Sequence, residues 1–214
     1  MDSKKIDSAM RFIWERAGDR MAHLGERKET RDLLHKHYKE ELLAVEFEGK
    51  RIIDFGCGGA MLGKYIFKAA SPKCYIGYDI SKASLNGARK NLKGLDPKKI
   101  SLVYLDKHAW DFKARDPDLI IALSVIIHFP FKSYLDNFLQ SCNESGANEL
   151  ILMIRDTGEG VKFQERPYRD RNSAIFGCVC NEKYITENLD NYFLVAKRKK
   201  NKESNCQVLK YWKK

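Results

Sequence analysis

The sequence predicts a doubly wound α/β unit, a mostly parallel sheet with helices on both faces. Three observations carry that expectation. From residue 50 to 156, short apolar runs alternate with helix-like segments, the pattern that joins parallel strands through crossovers. The first run, Arg51-Ile-Ile-Asp-Phe55, empties into Gly56-Cys-Gly58 and a helical stretch. A ligand can approach bare backbone amides at such a turn, at the positive end of a helix. Acids also recur at or near the ends of successive runs, at Asp54, Asp79 and Asp106, where open α/β sheets bind ligands.

Taken in order, residues 1–47 read as helical, from Ala9 to Ala17 and, after a break near Gly25, from Glu29 to Val45. Leu33, Leu34, His37, Tyr38, Leu42 and Leu43 keep three-and-four spacing on one face. This part is expected to form an N-terminal helical cap, with 48–214 as one structural unit. Strands are expected at 51–55, 74–79, 100–105, 118–124 and 149–154, and helices at 60–69, 82–93 and 131–142. The stretch between 106 and 118 is short and contains Pro117, so its crossover helix is abbreviated or absent. Residues 156–180 read as irregular, rich in Arg and Gly. Lys183 to Leu189 is helical, and Tyr192–Lys197 and Gln207–Tyr211 are two strands joined by the basic loop 198–206.

A chain of 214 residues suits one well-cored α/β domain and is short for two. Hydrophobic content of 43% and charged content of 32% exclude an intrinsically disordered chain. No apolar run reaches membrane-spanning length, and Met-Asp-Ser-Lys-Lys-Ile lacks a signal peptide's apolar core, which points to the cytoplasm. The six cysteines contain no Cys-x-x-Cys pair. Cys178-Val-Cys180 reads as part of an extended strand, and no metal site is expected. Of the net charge of +10, residues 197–214 contribute eight cations against Glu203. That excess is either a phosphate-binding patch or a solvated hairpin with a charged edge that discourages aggregation. The near-neutral first 48 residues and the lack of an aromatic-basic motif favour the hairpin.

The spacing of the glycines says which nucleotide-like ligand to expect. A dinucleotide fingerprint needs a third glycine where Met61 stands. Asp79 lies 21 residues after Gly58, the interval at which a βαβ unit sets an acid beside ribose hydroxyls. Its carboxylate can accept two hydrogen bonds from a vicinal diol.

Asp54-x-Gly56-x-Gly58, followed by Cys74-Tyr-Ile-Gly-Tyr-Asp79, Ile100 to Asp106 and Asp118 to Ser124, resembles class I S-adenosylmethionine-dependent methyltransferases, of small-molecule type. The resemblance covers roughly residues 50–156. It implies a Rossmann-like seven-stranded sheet of order 3-2-1-4-5-7-6, closed by the C-terminal hairpin. It places S-adenosyl-L-methionine, released as S-adenosyl-L-homocysteine, against Asp54, Phe55, Gly56, Cys57, Gly58, Asp79, Ile80, Asp106, Lys107 and Ser124. Asp106 would meet the adenine amino group. Trp14-Glu-Arg16-Ala-Gly-Asp-Arg20 resembles a segment that lies over the cofactor in several members, where Arg16 or Arg20 would meet its carboxylate.

Val125-Ile-Ile-His128-Phe-Pro resembles the acceptor-facing segment of small-molecule members. His128 is therefore the candidate general base, its ordinary pKa near ~6.5 leaving a neutral fraction at neutral pH. Neither an Asn/Asp-Pro-Pro-aromatic motif nor a Pro-Cys dipeptide follows the fourth strand, which argues against the amine- and C5-directed DNA enzymes. The expected reaction is methyl transfer to an oxygen or nitrogen of a small molecule, such as a sugar or metabolite, with no membrane partner. Two alternatives stay open: an RNA- or protein-directed enzyme docking through the basic C-terminal region, and a cofactor-binding homologue without turnover.

Overall fold

The computed structural model describes residues 8, 11–16, 18, 38, 42, 44–105, 110–158, 160–163, 168–170, 173–175, 177–199 and 205–214. Five parallel strands form the body of the sheet: β1 (Arg51–Phe55), β2 (Cys74–Asp79), β3 (Ile100–Tyr104), β4 (Leu119–Ala122) and β5 (Glu149–Arg155). Helices α1 (Met61–Ala69), α2 (Lys82–Asn91) and α3 (Lys132–Ser145) join them. Only a 3-10 turn, Lys113–Arg115, stands between β3 and β4 among the described residues, in keeping with the shortness of that stretch.

Beyond β5 come β6 (Lys162–Phe163), β7 (Tyr168–Asp170), β8 (Ser173–Ile175) and β9 (Cys178–Val179). They pair as β6 with β9 and β7 with β8, both antiparallel. The expectation of wholly irregular chain over 156–180 is corrected to this extent, because pairs of two and three residues leave little periodicity to read. Cys178 and Cys180 are both buried, and Cys178 is extended, opposite Phe163.

Helix α4 (Glu182–Glu187) precedes β10 (Tyr192–Lys199) and β11 (Cys206–Lys213). β11 inserts antiparallel between β10 and β5, so the sheet runs β10-β11-β5-β4-β1-β2-β3. Counting only its seven strands in chain order, this is the expected 3-2-1-4-5-7-6. Strand order reverses at β1, which pairs with β2 on one side and β4 on the other. That reversal opens a crevice at the carboxyl ends.

Alternation of side chains divides the core into two layers. Ile53, Phe55, Ile120, Leu150 and Leu152 face α3 and α4. Ile52, Leu119, Ile121, Ile151 and Met153 face α1, α2 and the buried Leu42 and Phe47. β4 is buried along its whole length, as a central parallel strand with helices on both faces must be. Under the carboxyl end of β1, Phe55 packs among Tyr78, Trp110, Phe112, Phe129 and Phe138, with ring centroids 4.9–6.4 Å away. This aromatic floor gives the loops above it a stiff base. Among the described residues no helix is long and apolar enough to cross a membrane.

Candidate functional site

The turn after β1 is shaped by residues with positive φ: Gly56 at 76°, Gly58 at 52° and Ala60 at 55°. A β-carbon on Gly56 would lie 2.6 Å from Val125 Cγ2, so this glycine brings the post-β4 segment against the loop. One on Gly58 would meet nothing within 4 Å. The backbone there opens into a space that a ligand can enter.

Asp79, at the end of β2, ties the loop to α2. Its Oδ2 accepts the Gly58 N–H at 2.8 Å and its Oδ1 accepts the Ser81 N–H at 2.8 Å. Each oxygen keeps acceptor capacity after those bonds. Burial pushes the Asp79 carboxyl up to about 6, against the lowering effect of the Ser81 and Gly58 amides, and nearby Glu15 adds to the rise. A carboxylate at the carboxyl edge, joined to a glycine-loop amide and one strand from the switch, suits a nucleoside sugar.

Asp54 is differently placed. It is 4% exposed, and its Oδ2 accepts from the Tyr75 hydroxyl at 2.6 Å beneath the loop. Burial raises its carboxyl to about 7, opposed by the Tyr75 bond and aided by Asp79. Phe55 and Cys57 likewise send their side chains inward, to the aromatic floor and towards Gly77. Their main chains, not their side chains, line the turn. Ile80 packs against the core beside Asp79.

After β4 the chain turns sharply. Ser124 has φ 57° and is exposed, its hydroxyl 3.5 Å from Met153 Sδ. A serine in the left-handed region is uncommon and marks local strain of the kind found at functional sites. His128 closes the following 3-10 turn, Ile126–His128, partly buried, and Trp14 meets its imidazole edge-on at 5.0 Å.

Asp106, Lys107 and Arg20 lie outside the described residues. Arg16 is exposed, with its guanidinium over the Phe12 ring at 5.6 Å. The residues that the N-terminal segment turns toward the strand ends are Arg11, Trp14 and Glu15. Arg11 and Glu15 were missed as site residues. Positions 11, 14, 15 and 18 share one helical face, so their spacing was a usable signal, and Arg16 falls off that face. An open depression lined by Arg89, Leu92, Lys93 and Pro97 lies at the other end of α2.

Residues 53–147 match a family profile described as a methyltransferase domain. Several solved structures are similar. A protein from Pyrococcus horikoshii has a TM-score of 0.66 at 15% identity, covering 89% of this chain and 93% of that one. Magnesium protoporphyrin IX methyltransferase from Synechocystis, solved with S-adenosylmethionine, has 0.59 at 16%, covering 91% and 81%. DhpI, solved with S-adenosylhomocysteine, has 0.67 at 14%, covering 99% and 98%. No curated protein sequence matches the chain. Identities this low speak for the fold, and the profile match speaks for residues 53–147. Residues 53–147 thus match a methyltransferase domain, on a fold shared with methyltransferases solved with S-adenosylmethionine or S-adenosylhomocysteine.

Proposed function

We propose that this protein transfers a methyl group from S-adenosylmethionine to an oxygen or nitrogen atom of a small-molecule acceptor. The observation that carries the reading is the Asp79–Gly58 bridge at 2.8 Å beside an open glycine turn. Asp79 would hold the ribose diol, and the Gly56–Gly58 backbone would lie against the amino-acid end. The cofactor supplies an electrophilic methyl carbon and a thioether leaving group. The protein's main contribution is alignment and exclusion of water, worth several kcal/mol of the barrier (on the order of 7–11 for ideal alignment). His128 takes the proton that a hydroxyl acceptor releases as it attacks, or that a protonated amine must lose before its lone pair can form the new bond.

Contacts from residues 11–18 across the strand ends support a small acceptor, since they cover part of the mouth. The macromolecular reading has one observation in its favour. The register Lys199↔Gln207↔Ile154 brings the basic end of β10 to the carboxyl edge of the sheet, the edge that bears the site. Labelled methyl transfer to panels of small hydroxyl and amine compounds, run beside RNA, separates the two. Asp79→Ala is expected to weaken S-adenosylhomocysteine binding at least tenfold, ~1.4 kcal/mol. His128→Ala should spare that affinity and depress turnover. Unchanged affinity in Asp79→Ala, measured by calorimetry, removes the site assignment.

A further inference from the structure

Residues 11–18 are part of neither the sheet nor its crossover helices, yet they touch three of the strand ends that build the site. After β3, Arg11 Nη1 donates to the Leu105 carbonyl at 2.5 Å, and the guanidinium lies 5.9 Å from the Tyr104 ring centroid. After β4, Trp14 packs edge-on against His128. After β2, Glu15 sits at the first turn of α2. Its carboxylate accepts the Lys82 N–H at 2.7 Å, the Ala83 N–H at 3.0 Å and the Ser81 hydroxyl at 3.2 Å. Gly18 is buried so close to Ser81 and Ser84 that a β-carbon would not fit.

The start of α2 is thereby shared between two acids. Asp79 takes the Ser81 amide, Glu15 the next two, and the Ser81 hydroxyl takes the Ser84 amide at 3.0 Å. Each of these four amides has a side-chain acceptor where a helix start normally turns to water. Burial pushes the Glu15 carboxyl up, but the Ala83 and Lys82 amides and the Ser81 hydroxyl outweigh it and hold the group below the ordinary glutamate value. The charge is therefore retained, although it opposes that of Asp79. A second acid beside the first is tolerated because oriented amides and the helix dipole satisfy both.

We propose that Glu15 is a positioning residue. By anchoring the 11–18 strap on α2, it holds Trp14 against His128, so that the cofactor-gripping and acceptor-facing groups are assembled together. Trp14 and Glu15 are adjacent in one helical segment, so releasing one displaces the other. The strap touches the chain after β2, β3 and β4, so a nucleoside bound among those strand ends would leave faster once the strap is freed. This inference rests on the roles given above to Asp79 and His128.

The test uses the full chain, S-adenosylhomocysteine as probe, and variants Glu15→Ala, Glu15→Gln, Trp14→Phe and Asp79→Ala. Glu15→Ala is expected to speed S-adenosylhomocysteine dissociation about tenfold in stopped flow. Amide exchange at Lys82 and Ala83 should accelerate by at least about tenfold without ligand. The His128 ring resonances should move, although Glu15 does not touch His128, and should move the same way in Trp14→Phe. Glu15→Gln keeps a carbonyl acceptor and should lie between wild type and Glu15→Ala, which preserves the test if the alanine variant is poorly folded. A wild-type dissociation rate and unmoved His128 resonances in both Glu15 variants overturn the proposal. Asp79→Ala binding the probe as wild type does would overturn the reading of the site itself, which is a separate result.

Discussion

Asp54 lies next to the end of β1 and Asp79 at the end of the neighbouring β2, and burial raises both carboxyls, but their partners give them different work. Asp79 binds two amides at the edge of an open turn, whereas Asp54 binds a tyrosine hydroxyl under it. A buried carboxyl raised to about 7 destabilises the folded state when ionised. The cost is absent below the unfolded value near 3.8, grows as pH rises through that interval, and is complete above about 7. Asp54→Asn keeps an acceptor for Tyr75 and removes the charge. It is expected to stabilise the chain at pH 8, on the order of a few kcal/mol and so several degrees in Tm. The gain should fade toward pH 4 in thermal melts across that range. A lower Tm than wild type at pH 8 would mean that the charge is compensated. At this scale the sequence indicated which residues lie near the crevice, but not which atoms they offer. Phe55 and Cys57 are near it by chain position and turned away from it by side-chain direction.

Among the elements, the junction of α1 with β2 shows how tightly the glycine turn is seated. Gly63 lies in α1 with its missing β-carbon 2.5 Å from Tyr75 Cζ, and Tyr75 is the residue that binds Asp54. In an exposed helix, Gly→Ala gains about 1 kcal/mol through propensity. Here the methyl group would push the ring from its place, and overpacking of this kind costs ~1–3 kcal/mol. Gly63→Ala is therefore expected to lower stability in urea melts, by up to about 2 kcal/mol after the propensity gain, and to loosen the turn above. A stabilised variant would show that Tyr75 can move freely. The elements most legible in the sequence were those with long apolar runs or strong periodicity, such as β4 and α3. The pairs β6–β9 and β7–β8 were not legible, because strands of two or three residues leave too little periodicity to read.

The whole sheet depends on its C-terminal hairpin. β11 pairs with β5 along seven residues, from Cys206↔Arg155 to Trp212↔Glu149, and supplies the buried Val208, Leu209 and Tyr211. Removing 192–214 would leave β5 an unpaired apolar edge, a template for aggregation. The truncated chain is expected to be insoluble or to lack a cooperative transition. Replacing residues 200–204 with a two-residue turn should leave melting nearly unchanged, since loop length costs only ~0.6 kcal/mol per doubling. Comparable solubility of the truncated chain would show that the first five strands suffice. The shortened-loop variant also serves the acceptor question, because it removes Lys200 and Lys202.

By itself the sequence determined the alternation of strands and helices, the position of the glycine turn and the acid one βαβ interval beyond it. These are local signals: runs of apolar residues, residue types that permit positive φ, and fixed spacings along the chain. Tertiary structure alone decided that Glu15 closes the start of α2, that Trp14 lies on His128, and that Asp54 is held beneath the loop by Tyr75. Those pairs are separated by 67, 114 and 21 residues. Their meeting depends on how the strands order themselves in the sheet, which periodicity along the chain does not encode.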